Sequence, residues 1–187
     1  MFKRLFVIAV IVTALFLPIE VLAENGSTRE ERLAKAVIDQ QLVLDDSIKA
    51  SLQAKCQNAQ VILTNVQDQT ESLIRKRLDI YSSIQKDLQI IKLRMIRQGA
   101  DASETDLLTG KIQQSLDEFT LQADKYGTSL NDVVTVNCQQ KPEQFKAGLV
   151  LMRSQRFKLL DSAKDLKSVV TNSNNDIFKQ LKERLKL

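Results

Sequence analysis

Apolar side chains recur along this chain in alternating steps of four and three residues, the spacing that holds one face of a helix against a neighbour. From Leu52 the row runs through Cys56, Ala59, Leu63, Val66, Thr70, Leu73, Arg77, Ile80 and Ile84. After one four-residue stutter it resumes at Leu88, Ile91 and Met95. Upstream the pattern loosens to Leu33, Val37, Leu44 and Ile48. Thr28, followed by Glu30 and Glu31, has the chemistry of a helix start, and Gly99 after Arg94 and Arg97 that of a helix end. The spacing therefore predicts one helix over about 28–98.

A second row, Ile112, Leu116, Phe119, Ala123 and Tyr126, predicts a helix over about 103–136, opened by Ser103 with Asp106 as a capping-box variant. Gly127 resembles a C-cap, after which Ser129 to Val136 either restarts the helix or, at Val133–Val136, runs extended. The helix is preferred, because nothing else offers that strand a partner. The third row is the most regular: Phe145, Leu149, Met152, Arg156, Leu159, Ala163, Leu166, Val170, Ser173 and Ile177, continued by Leu181 and Leu185. It opens at Pro142, which a first turn tolerates. A helix over 142–186 is a rod of roughly 65 Å.

The N-terminus follows a different rule. Lys3 and Arg4 precede an apolar run from Leu5 to Leu17, Pro18 and Glu20 break it, and Val21-Leu22-Ala23 leads to Glu24. That is the layout of a secretory signal peptide over 1–23, cleaved after Ala23, leaving one helical domain over 24–187. The alternative is an uncleaved anchor; against it, a bilayer span needs about 20 apolar residues. The protein is expected to be exported, periplasmic or extracellular.

Composition supports helices. Only 5 glycines and 2 prolines interrupt the chain, and there is neither His nor Trp. The formal net charge of +4 conceals alternation. Residues 24–74 carry 5 basic and 8 acidic side chains, 75–98 carry 7 and 2, 99–140 carry 2 and 7, and 141–187 carry 11 and 5. Neighbouring helices of opposite charge would relieve one another's repulsion.

The two cysteines constrain the topology. An exported protein with one Cys pair usually bonds it. Cys56 to Gly99 is about 63 Å of helix, and Ser103 back to Asn137 about 52 Å, so Cys138 returns near the level of Cys56. The expected fold is all-α: an elongated up-down-up three-helix antiparallel coiled-coil bundle, stapled by Cys56–Cys138. The alternative is two free buried thiols. Residues 28–55 are left as an N-terminal helical overhang of about 40 Å. It would be a projecting stalk, a self-association helix, or a segment that folds back at Ser47.

Little in the chain suits catalysis. There is no imidazole, no glycine-rich phosphate loop and no nucleophile motif, so no enzyme activity, cofactor or metal is expected. Arg77 and Arg156 fall in seam positions, and Asp124 comes near the level of both, which predicts ion pairs that set register. Lys92, Arg94 and Arg97 end the first helix, while Lys179, Lys182, Arg184 and Lys186 end the third. Positive charge there complements two helix C-termini; the functional alternative is contact with an anionic membrane or wall polymer. Export and few aromatics argue against nucleic acid, and no small-molecule substrate is expected.

Lys55-Cys56-Gln57-Asn58, Val136-Asn137-Cys138 and Pro142-Glu143-Gln144-Phe145-Lys146-Ala147 resemble a group of uncharacterised secreted helical coiled-coil proteins of small-genome candidate-phylum bacteria. That resemblance covers most of the chain after the leader and implies no activity. A leader, a small basic chain and long helical arms are also similar in composition to the Skp (OmpH) family of periplasmic chaperones. That family trimerises through a small β-body, and no convincing strands for one occur here. Two functions are thus expected: an exported coiled-coil spacer or binding rod of the cell envelope, or an Skp-like holdase for unfolded exported proteins. In either, residues 28–55 would carry the protein partner or self-association.

Overall fold

The structure is a computed structural model that describes residues 27–185, with side chains described for 27–172. It is all-helical among the described residues: α1 (Arg29–Asp39), α2 (Asp46–Arg97), α3 (Ser103–Thr135) and α4 (Pro142–Leu185). The signal peptide expected over 1–23 lies outside the described residues.

The predicted helix over 28–98 is two helices. α1 opens as read, with Thr28 and Glu31 forming a reciprocal capping box. It runs for eleven residues and is stopped just past its C-cap Gln40 by Gln41, whose φ of 48° is left-handed. Gln41 donates its N–H to the Ile38 carbonyl (2.9 Å) and Leu42 to the Val37 carbonyl (3.1 Å), a Schellman ending built on a glutamine. A non-glycine there costs about 1 kcal/mol. Asp45 then caps α2, accepting from the Ile48 N–H (2.8 Å) and the Ser47 hydroxyl (2.7 Å).

That turn removes the overhang. α1 lies on α4 instead of extending below the staple, and Leu33, Ala36 and Leu44 are buried there. Burying a leucine of this kind stabilises by roughly 2 kcal/mol. The fold-back reading holds, with its turn at Gln40–Asp45, a few residues before Ser47.

α2 ends on Gly99 (φ 70°), with the Gly99 and Ala100 N–H groups bonded to the Ile96 and Met95 carbonyls at 3.0 and 2.9 Å. α3 runs antiparallel to α2: Gln60 donates to the Val133 and Val136 carbonyls (2.9 and 2.8 Å), Gln85 to Gln113 (2.5 Å), and Lys92 pairs with Asp106. Asp106 is thus an interhelix partner rather than half of a capping box, and Ala102, which has no side-chain cap, takes the N-cap position. Gly127 lies inside an unbroken α3, so it is neither a cap nor followed by an extended stretch. α4 packs against α3.

The seam of α3 emerges as read, and that of α4 does so except at Leu149, which is half-buried, and Arg156, which is exposed. Ile112, Leu116, Phe119, Ala123 and Tyr126 are buried, as are Phe145, Met152, Leu159, Ala163, Leu166 and Val170, while Ser173, Ile177, Leu181 and Leu185 lie outside the described side chains. The α2 seam differs in its middle. Ile74, Leu78 and Tyr81 pack on the core, whereas Leu73, Arg77 and Ile80 point outward. A 3.5-residue repeat drifts about 20° per heptad on a straight helix. Here the drift is absorbed between Thr70 and Leu78, well before the stutter expected at Leu88.

Candidate functional site

Two regions stand out. One is a densely tied base; the other is a long, thinly covered face of α2.

Cys56 and Cys138 are disulfide-bonded with Cα atoms 6.0 Å apart, closing an 82-residue separation, and both are buried. Gln53 and Gln139 bond reciprocally beside the bridge, each amide reaching the other's backbone carbonyl at 2.7 and 2.6 Å. Lys49 pairs with Glu143 (2.9 Å), joining the first turns of α2 and α4. α1 adds a clasp. Arg32 forks onto the buried Asp132 of α3 (2.8 and 2.6 Å), and those bonds hold its guanidinium pKa above the ordinary value. Arg29 donates to the Thr135 carbonyl (2.9 Å) and Gln40 to the Ala147 carbonyl (3.0 Å). At the centre sits Gly148, where a Cβ would lie 2.8 Å from Val133 Cγ2 and 2.9 Å from Leu33 Cδ2.

The other sequence candidates are dispersed. Arg77, Arg156 and Asp124 are all exposed, and none forms an ion pair among the described residues. Their seam positions did not survive the register shift in α2 or the 3.6-residue turn of α4. Lys92 is engaged by Asp106, while Arg94 and Arg97 are exposed at the end of α2. Lys179, Lys182, Arg184 and Lys186 lie outside the described side chains.

α2 is where burial is thin. Of its 52 residues only Cys56 and Leu88 are buried, against twelve in the 33 residues of α3. α2 leans on α3 and touches α4 sparsely. Leu63, Val66, Ile74, Leu78, Tyr81 and Ile84 are therefore half-covered. Beside them Ile62, Leu73 and Ile80 are 64, 60 and 58% exposed. Ile62 and Ile80 are eighteen residues apart, five helical turns, and Leu73 falls about 20° off the same line. These three form one apolar row along the flank of the seam. Sequence reasoning missed it by assigning Leu73 and Ile80 to the interior; the signal available was the competing row Ile74, Leu78, Tyr81.

A cleft of about 520 Å³ opens between α2 and α3, lined by Glu71, Arg75, Asp124, Tyr126 and Gly127 among others. No cluster able to hold a metal ion occurs among the described residues, and no described helix is long and apolar enough to cross a membrane. No family model, curated protein or solved structure matches this chain.

Proposed function

We propose that this protein is an exported protein-interaction module of the cell envelope, with α2 as the binding face and the stapled base as its support. The observation that carries the reading is the contrast in burial: a 52-residue helix with two buried side chains beside an apolar row. A helix held this loosely on one face gains most from a second helix laid on its flank. The elongated up-down-up coiled coil belongs to the same proposal, supported by the antiparallel bonds of α2 with α3 and the packing of α4 on α3.

Export rests on the leader over 1–23. Contact of the Lys92–Arg97 end with an anionic surface rests on charge alone, and is secondary. Self-association through residues 28–55 would have to use Ile38, Val43 and Ile48, which stay exposed, because Leu33, Ala36 and Leu44 are covered by the protein itself. A holdase would use the same α2 row for many unfolded clients.

In-cell photo-cross-linking tests this reading. A photoreactive residue at position 73 is expected to give an adduct of discrete mass, and one at the exposed position 104 none. A smear of masses from position 73 would favour the holdase. No adduct from 73 would remove α2 as a binding face.

A further inference from the structure

We infer that the groove between α2 and α4 receives an acidic amphipathic helix of a partner protein, laid along the Ile62–Leu73–Ile80 row. The inference rests on the proposed role of α2 as a binding face, and adds a second wall and the chemistry of the partner.

The row lies on the open side of α2. Glu71 and Arg75 line the cleft toward α3, and Ile62, Leu73 and Ile80 sit about 140–180° round the helix from them. On α4, Leu151 and Gln155 line a cleft with Asp124 and Thr128 of α3. Arg156, Leu160 and Lys167 lie about 100–180° round α4 from that pair, on the flank turned toward α2. α2 and α4 both pack on α3 and touch one another sparsely. The groove between them is therefore open, with exposed aliphatic side chains on both walls, Leu160 of α4 facing the α2 row.

Charge selects what fills it. Lys55, Lys76 and Arg77 lie within about 60° of the row, and Asp87 is the one carboxylate of α2 in that arc. Arg156 and Lys167 add two cations from α4. All five are exposed, and none is in an ion pair among the described residues. Near the base and at the far end of α2, by contrast, Arg32, Lys49 and Lys92 each have a carboxylate. An apolar strip edged by unmatched cations is complementary to an apolar stripe edged by carboxylates. The row spans five helical turns, about 27 Å, the length of a partner helix of about 18 residues. A flat bilayer does not reach the floor of a groove between two helices, and a wall polymer without apolar groups would leave the aliphatics uncovered. A second copy matches less well: on the outward face of α3, Asp117, Glu118 and Asp124 are offset by Lys111 and Lys125.

The test uses protein expressed from its full sequence, with the disulfide intact, and labelled peptides of about 20 residues. One carries leucines at four-three spacing flanked by glutamates, one the same residues scrambled, and one lysines in place of the glutamates. The first should bind, and the other two at least about tenfold more weakly. Arg77→Glu combined with Arg156→Glu should weaken the first peptide roughly tenfold, as should Leu73→Ser. Lys158→Glu, about 200° round α4 from Arg156, should leave it unchanged. All these positions are exposed, so helicity should not change. In cells, photoreactive residues at 73 and 160 should capture the same protein, through an acidic segment with apolar residues at helical spacing. Equal binding of the scrambled peptide, or tighter binding to vesicles of anionic lipid, would overturn the acidic helix. A dimer in sedimentation that the double charge reversal abolishes would put a second copy in the groove instead. A discrete adduct from 73 without peptide binding would overturn the partner's chemistry and leave α2 as a binding face, whereas no adduct would remove both readings.

Discussion

Gly148 is the residue on which the base closes. α1, α3 and α4 meet there at distances that leave no room for a side chain, Leu33 and Val133 filling the space a Cβ would need. Gly148→Ala should therefore destabilise by about 1–3 kcal/mol through overpacking, read as a lower denaturant midpoint. Arg32→Met should cost roughly 3 kcal/mol, because Asp132 is left buried without its cation. Arg77→Ala and Arg156→Ala should fall within about 0.5 kcal/mol of wild type, as for other exposed sites. A large loss at either would restore the interior ion pairs expected from sequence. Nothing in the sequence distinguishes these arginines from Arg32. The difference lies in which carboxylate is buried, and that depends on α1 folding back.

At the scale of the element, the break between α1 and α2 was hidden for a specific reason. Gln40-Gln41 contains neither glycine nor proline, and the left-handed residue is a glutamine. Tertiary packing of Leu33 and Ala36 against α4, with Gln40 bonded to Ala147, holds it there. The start of α1 and the ends of α2 and α4's first turn were legible, because Thr28, Gly99 and Pro142 signal through local chemistry. Gln41→Gly should stabilise by up to about 1 kcal/mol, detected as a raised midpoint. The turn should also respond to acid. Asp45 is held below its ordinary value by the Ile48 N–H and the Ser47 hydroxyl, and Glu143 is held down by Lys49. A carboxyl depressed in the folded state stabilises fully above its ordinary value, here 3.8 for Asp45 and 4.5 for Glu143, and the contribution disappears as pH falls through the lowered values. Protection of the amides over residues 40–49, relative to their intrinsic exchange at each pH, should fall below about pH 4, ahead of the core of α3. Uniform protection down to global unfolding would contradict this.

Across the whole molecule, order is distributed unevenly. The disulfide, the glutamine pair, the Arg32 fork and Gly148 gather at the base, while Gln85–Gln113, Lys92–Asp106 and the Thr105 hydroxyl on the Met95 sulfur are what side-chain bonding offers further along α2. Reducing the bridge should cost about 4.5 kcal/mol in the chain-entropy account of a loop this long. The all-helical class and the Cys56–Cys138 bond were readable, since helix lengths and the expectation of export argue for both without tertiary detail. The α2 row was not, because a heptad and an eighteen-residue repeat share several positions and only packing on α3 decides between them. The most direct measurement is thiol alkylation of single Cys variants at 62, 73, 80 and 157, compared between dilute purified protein and intact cells. Phe157 on α4 is 67% exposed and serves as the control. Protection in cells at 62, 73 and 80, with 157 still reactive, is the expected result; equal reactivity at all four positions in both settings would contradict α2 as the binding face.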